Sequence, residues 1–144
     1  RNRLLVILNV QYQDVQLNNY IPDTESEPIE EGIRIAASVC IHSLRGGMSA
    51  GIAANMPTGE GEGNTVLLPD EGSAQEEQIL DTCARMRLHC GDRFPSFLES
   101  FSNQSGLNIL VLSRYDSDSI RAAIAKLEAA GNQTQFHLLE GGGR

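Results

Sequence analysis

The sequence has few of the features that mark nucleic-acid-binding or membrane-spanning proteins. Its 11 basic residues are scattered among 19 acidic ones, which gives a formal net charge of −8. Nucleic acids and anionic membrane surfaces attract clustered Lys and Arg, so this charge balance argues against both partners. No apolar run approaches the roughly 20 residues that a transmembrane helix needs, and no signal-peptide pattern is present.

Cysteine is also scarce, with three residues and none of the paired spacings that zinc sites or disulfide frameworks use. We therefore expect reduced, buried thiols and a cytoplasmic protein. The chain begins at Arg1 rather than at Met, which favours a piece of a longer protein. Its 144 residues are predicted to form a single domain over 1–144 with a sizeable core.

Five strands and four helices are predicted from the hydrophobic pattern. Short aliphatic or alternating runs predict strands at residues 4–8, 48–56, 65–68, 107–112 and 134–139. Apolar stripes and end signals predict helices over 28–45 with Pro28 in the first turn, from a capping box at 73–76 to Gly91, over 94–101, and from about Ile120 to Gly131.

The alternation of these elements predicts an α/β fold, a doubly wound, mostly parallel five-stranded sheet with helices on both faces. The one irregularity is the link between the strands at 48–56 and 65–68. It is too short to hold a crossover helix, so the strand at 65–68 is predicted to be antiparallel and to lie at an edge of the sheet.

Polar side chains follow the first predicted strand, where ligands usually bind in a sheet flanked by helices. Asn9, Gln11 and Gln13 occupy this place, and all three are uncharged hydrogen-bonding groups. They form either a polar docking patch or a solvated strand end that satisfies its own loop backbone.

Arg114 follows the predicted strand at 107–112. A guanidinium at the carboxyl end of a strand can clamp the carboxylate or phosphate of a partner. The plainer interpretation of Arg114 is an ion pair with Asp14 or Asp116.

Several stretches of the chain resemble a known superfamily. They are "LLVILNVQ" at 4–11, "EEGIRIAASVCIHSLRGGMSAGIAANM" at 30–56, "LNILVLSRYDSD" at 107–118 and "LEAAGNQTQFHLLE" at 127–140. With the predicted strand order, they resemble the von Willebrand factor A superfamily, and within it the bacterial domain of unknown function 58 family. The resemblance implies a parent chain with two preceding membrane-spanning helices, a position on the cytoplasmic side of the membrane, and a MoxR-type AAA+ ATPase as partner.

Members of this superfamily hold a divalent cation in a metal-ion-dependent adhesion site, with an Asp-x-Ser-x-Ser motif and a further Asp after the fourth strand. By the resemblance, the motif falls on Asn9, Gln11 and Gln13, and the further Asp falls near Ser113 and Arg114. Mg²⁺ is normally bound through at least one or two carboxylates, so amides beside an Arg are expected to bind it poorly. The metal site is therefore predicted to be degenerate.

We expect a non-catalytic, cofactor-free protein-interaction module. Its predicted partner-binding residues are Asn9, Gln11, Gln13, Asn55, Ser113 and Arg114. The first alternative is cation-dependent adhesion through the displaced carboxylates Asp14 and Asp116. The second is a small-molecule binder or enzyme on a flavodoxin-like or nucleotide-binding sheet, which would call for a glycine-rich turn after the first strand that this chain lacks.

Overall fold

In a computed structural model of the protein, which describes residues 2–14 and 21–140, the strands form one sheet with helices on both faces. The strands are β1 (Arg3–Leu8), β2 (Ser49–Ala54), β3 (Thr65–Asp70), β4 (Asn108–Ser113) and β5 (Gln133–Leu138). The helices are α1 (Asp23–Arg45), α2 (Ser73–Arg85), α3 (Phe94–Glu99) and α4 (Asp118–Ala129). The order across the sheet is β3-β2-β1-β4-β5, and among the described strand pairs only β2–β3 is antiparallel. The predicted doubly wound, mostly parallel architecture is therefore confirmed.

Strand β1 lies at the centre of the sheet because its aliphatic residues are buried on both faces. Leu5 and Ile7 pack with the apolar residues of α3 and α4, whereas Val6 and Leu8 pack with those of α1 and α2. All four side chains are fully buried. Among the described residues, no helix is both long and apolar enough to span a bilayer.

Helix α1 begins at Asp23, earlier than the predicted start near Pro28. Proline lacks the N–H that an interior helical residue donates, so a proline usually marks the first turn of a helix. Pro28 instead lies inside α1, and the predicted start is wrong. The additional N-terminal turn is held by one tertiary contact and one local hydrogen bond. Glu25 Oε1 lies 2.8 Å from Nε of Arg114, which follows β4, and the Glu25 N–H donates to the Pro22 carbonyl.

Helix α2 begins at the predicted position but without the predicted capping box. The helix begins at Ser73, directly after Gly72, and no side chain in the described part of the chain caps its first turn, so the predicted capping box is wrong. Glu76 does not reach back to the helix start, because its carboxylate pairs with Arg45 of α1, with an Nη2–Oε2 distance of 2.8 Å.

Helix α2 ends at Arg85 rather than near Gly91. The chain beyond Arg85 leaves the helix because it pairs with the loop that links β2 and β3. The Arg87 N–H donates to the Pro57 carbonyl at 2.9 Å, and the Gly91 N–H donates to the Asn55 carbonyl at 2.8 Å. This segment thereby lies beside the carboxyl end of β2, at the edge of the sheet where polar side chains collect.

Candidate interaction edge

The carboxyl ends of β1, β2 and β4 meet at one edge of the sheet, and Asn9 lies at its centre. The Asn9 side chain is fully buried. Its Nδ2 donates to Ser113 Oγ at 3.1 Å. Its Oδ1 accepts from the Gln11 N–H at 2.8 Å and from Asn55 Nδ2 at 3.3 Å. One amide therefore connects the ends of three neighbouring strands.

Ser113 determines which chemical group fits at position 9. Its hydroxyl donates to the Tyr115 carbonyl at 2.6 Å, so its only proton is already used. Towards Asn9, Ser113 Oγ can only accept, and the amide NH₂ of asparagine supplies the donor. An ionised aspartate has no donor to offer. The network therefore fits asparagine, and not aspartate, at the centre.

Asn55 and Gln11 connect the same centre to the neighbouring loops. Asn55 Oδ1 accepts from the Val10 N–H at 2.7 Å, and Asn55 Nδ2 donates to the Asp92 carbonyl at 3.1 Å. Gln11 Oε1 accepts from the N–H of Phe94, the first residue of α3, at 2.6 Å. Because Asn55 is 0% and Gln11 2% exposed, these amides hold loops together in the interior of the protein.

We call the buried polar network the crevice floor, and it contains four of the predicted partner-binding residues: Asn9, Gln11, Asn55 and Ser113. Their burial corrects the prediction, because these side chains are neither an exposed docking patch nor a solvated strand end. Gln13 is exposed and Arg114 is partly exposed, so these two remain accessible at this edge.

Arg114 pairs with Glu25 and not, as predicted, with Asp14 or Asp116. The closest approach is 2.8 Å, and the two side chains are only 26% and 15% exposed. The atoms are close enough for an ion pair, although their orientation does not meet hydrogen-bond geometry. This pair could not be predicted from the sequence, because Glu25 lies in a helical turn that local signals did not predict.

The two carboxylates of the alternative cation site have separate partners. Asp14 Oδ1 accepts from Tyr115 Oη at 3.1 Å and from Ser117 Oγ at 2.9 Å. Asp116 pairs with Arg121 at 2.8 Å, and this hydrogen-bonded guanidinium holds the pKa of Asp116 below its usual value. In the described part of the chain, no group of three or more His, Cys, Asp or Glu residues is placed to hold a metal ion.

Tyr115 connects Asn9 of the crevice floor with Asp14. Burial raises the pKa of Tyr115 well above its ordinary value, and the neighbouring Asp14 adds to the rise. A hydrogen bond with Asn9 and the nearby positive charge of Arg93 act in the opposite direction. The phenol therefore remains protonated near neutral pH and donates its proton to the Asp14 carboxylate.

The three cysteines have the environment of inert thiols. Burial raises the pKa of Cys40 to about 12, and burial likewise raises those of Cys83 and Cys90 to about 11. A nucleophilic cysteine needs the opposite shift. The prediction of free, buried thiols is confirmed for Cys40 and Cys90, and Cys83 is half-buried. Cys90 lies beyond the end of α2 and therefore outside the helix, although the predicted span to Gly91 would include it.

A groove of about 630 Å³ lies away from the crevice floor. It is lined by residues from the first halves of β4 and β5, among them Asn108, Leu110, Gln133 and Gln135. In open α/β sheets, ligands bind beyond the carboxyl ends of the strands. The position of this groove therefore gives no support to the small-molecule alternative.

Comparisons with known proteins assign no family to this chain. A scan against protein-family models found no match, and a search of the curated proteins found no significant one.

Proposed function

We propose that this chain is a non-catalytic protein-interaction module that binds its partner at the carboxyl edge of the sheet without a divalent cation. The closed hydrogen-bond network of the crevice floor is the observation that supports this most directly. Both polar atoms of Asn9 are engaged by neighbouring groups. The floor therefore offers neither a carboxylate ligand to a cation nor a free base to a substrate.

The partner is proposed to contact the residues that surround the crevice floor, which we call the crevice rim: Gln13, Asp14, Arg93, Arg114 and Asp116. The rim carries charges of both signs on loops that the floor holds in place. Charges of mixed sign suit a protein surface of complementary pattern, because such surfaces gain specificity and orientation from charge pairs. A nucleic acid would require a uniformly basic surface.

The proposed partner is a MoxR-type AAA+ ATPase, and the parent chain is proposed to be attached at the cytoplasmic face of a membrane. Both proposals rest on the resemblance to the domain of unknown function 58 family. The absence of a carboxylate from the floor residues supports binding by complementary charge rather than by a shared metal ion.

Titration of the chain against a nucleotide-free MoxR-type ATPase from the same organism tests the proposal. Arg93→Glu reverses an exposed charge of the rim and is expected to weaken binding about tenfold, the equivalent of ~1.4 kcal/mol. Arg34→Glu makes the same change at an exposed position of α1 and is expected to leave affinity unchanged.

The affinity of the unsubstituted chain is expected to be the same in EDTA and in millimolar Mg²⁺. Loss of binding in EDTA would contradict the metal-independent mechanism. Equal affinities of the Arg93→Glu and Arg34→Glu variants would contradict the position of the surface, and no binding at all would exclude this ATPase as the partner.

A further inference from the structure

We propose that this chain also associates with a second copy of itself through the outer edge of β5, which joins the two sheets into one. Strand β5 is the last strand in the sheet order, and no described strand pairs with its outer side. An unpaired edge strand presents a row of N–H and C=O groups that another strand can bind. The inference rests on β5 and α4 and not on partner binding at the crevice rim, so it does not depend on the proposed function.

The other edge strand, β3, has the features that proteins use to prevent such pairing. Pro69 lacks an N–H, Asp70 adds a charge, and the register with β2 shifts between Ala50 and Ile52. Strand β5 has the sequence QTQFHL, without proline, Lys, Arg, Asp or Glu, and keeps an unbroken register with β4 along its whole length. The two edges therefore differ in their capacity to pair.

Alternate residues of β5 direct their backbone groups away from β4. The N–H of Gln133 donates to the Leu107 carbonyl at 2.9 Å, on the β4 side. Because successive residues of a strand alternate in direction, the N–H and C=O groups of Thr134 and Phe136 point outward. These are the groups that a second copy would bind.

Charges on α4 indicate that the second strand is another β5 in antiparallel orientation. Arg121 lies over the ring of Phe136, 4.5 Å from its centroid, and its Nε and Nη2 pair with Asp116. Glu128 hydrogen-bonds the hydroxyl of Thr134, towards the other end of the strand. A twofold axis reverses the second strand, so Arg121 of each copy comes beside Glu128 of the other. Charge complementarity of this kind occurs twice in the pair.

The same charges select a register with the twofold axis at Gln135. Thr134 of one copy then faces Phe136 of the other, and each such pair exchanges two backbone hydrogen bonds. A register with the axis at Phe136 would instead bring the Arg121 side chains of the two α4 helices towards each other, and juxtaposed like charges disfavour an interface.

Sedimentation analysis from micromolar to millimolar concentration tests the association. The unsubstituted chain is expected to form a dimer. Thr134→Pro removes an outward N–H and is expected to remain monomeric, whereas Thr134→Val loses the hydroxyl but keeps the N–H and is expected to dimerise. Thermal unfolding of both variants checks that they fold. A monomeric unsubstituted chain, or equal dimerisation of a folded Thr134→Pro variant, would overturn the proposal.

Cross-linking tests the register without weakening the strand. Residues at the twofold axis of a non-hydrogen-bonded antiparallel pair have Cα atoms about 4.5 Å apart, within the range that a disulfide spans. Gln135→Cys is therefore expected to give a covalent dimer on mild oxidation. Val66→Cys is the matched control, because Val66 is an exposed residue of the other edge strand. Cross-linking of both variants to the same extent, or of neither, would contradict pairing at Gln135.

Discussion

At the scale of single residues, the crevice floor depends on the difference between an amide and a carboxylate. Asn9 donates to Ser113 and accepts from Gln11 and Asn55, all within the protein interior. A carboxylate at this position could keep the two accepted hydrogen bonds but would place a negative charge against an oxygen that has no proton to give.

Asn9→Asp is expected to lower the free energy of unfolding by about 2–4 kcal/mol at neutral pH, because it buries a charge without a compensating donor. Chemical denaturation measures the difference. Gln13→Glu makes the same change of group at an exposed position and is expected to cost no more than about 0.5 kcal/mol.

The cost of Asn9→Asp is also expected to depend on pH. Burial should raise the pKa of the new carboxyl in the folded state above its unfolded value of about 3.9. The folded state then binds more protons than the unfolded state between these values, so the deficit shrinks as the pH falls. A deficit that is unchanged at pH ~4, or absent at neutral pH, would contradict the donor–acceptor account.

The raised pKa of Cys40 predicts that the folded protein loses stability at alkaline pH. The Cys40 pKa is about 12 in the folded protein, against an ordinary value of 9.0. Between these values the unfolded chain binds fewer protons, so the free energy of unfolding falls as the pH rises, by at most ~1.4 kcal/mol per pH unit. Cys40→Ala is expected to make this slope shallower in denaturation experiments above pH ~9. An identical slope in both proteins would show that the thiol is not protected.

The polar character of the crevice floor could be predicted from the sequence, but its burial could not. Asn9, Gln11 and Asn55 follow apolar runs, which places them at strand ends. Their partners are remote: Asn9 binds Ser113, 104 positions away, and Asn55, 46 positions away. Local patterns carry no information on such pairs, and polar side chains are usually exposed.

At the scale of elements, apolar periodicity located the strands and helices, whereas signals for helix ends were less reliable. Helix α2 does not continue to the predicted end at Gly91, and the chain there forms backbone hydrogen bonds with the β2–β3 loop. The predicted cap at Ser73 is absent, and Glu76 pairs with Arg45 instead. Helix α1 begins before the predicted start at Pro28, where Glu25 contacts Arg114. In each case the structure has a tertiary interaction at the helix end that local patterns do not encode, and an N-cap side chain contributes only about 1 kcal/mol.

The β2–β3 hairpin depends on a close approach of two backbones at Gly51. A Cβ at this position would lie 2.3 Å from the carbonyl oxygen of Leu67. Because the obstructing atom belongs to the backbone, a rotamer change cannot relieve the clash. Gly51→Ala is therefore expected to displace β3 and to lower the free energy of unfolding by about 2 kcal/mol or more.

Gly61→Ala is the control for the hairpin prediction. The nearest obstructing atom to a Cβ at Gly61 is the Thr58 carbonyl oxygen, at the ordinary contact distance of 3.6 Å. Urea denaturation is expected to show little change for this variant. Equal stabilities of the Gly51→Ala and Gly61→Ala variants would contradict the role of Gly51 in strand packing.

At the scale of the whole molecule, the two proposed surfaces lie at different edges of the sheet. The crevice rim lies beyond the carboxyl ends of the central strands, and the surface proposed for self-association is the outer edge of β5. The two surfaces are linked by the ion pair between Asp116 of the rim and Arg121 of α4, and a pair of chains would present two crevice rims to its partners.

Thermal unfolding in EDTA and in millimolar Mg²⁺ or Mn²⁺ tests most directly that the crevice floor and the crevice rim function without a bound cation. A cation that binds only the folded state at ~100 times its dissociation constant adds ~2.7 kcal/mol, a rise in Tm of roughly 5–10 °C for a chain of this size. We predict the same Tm in all three solutions. A rise of several degrees that Asp14→Asn abolishes would contradict the account and would favour cation-dependent adhesion through Asp14 and Asp116.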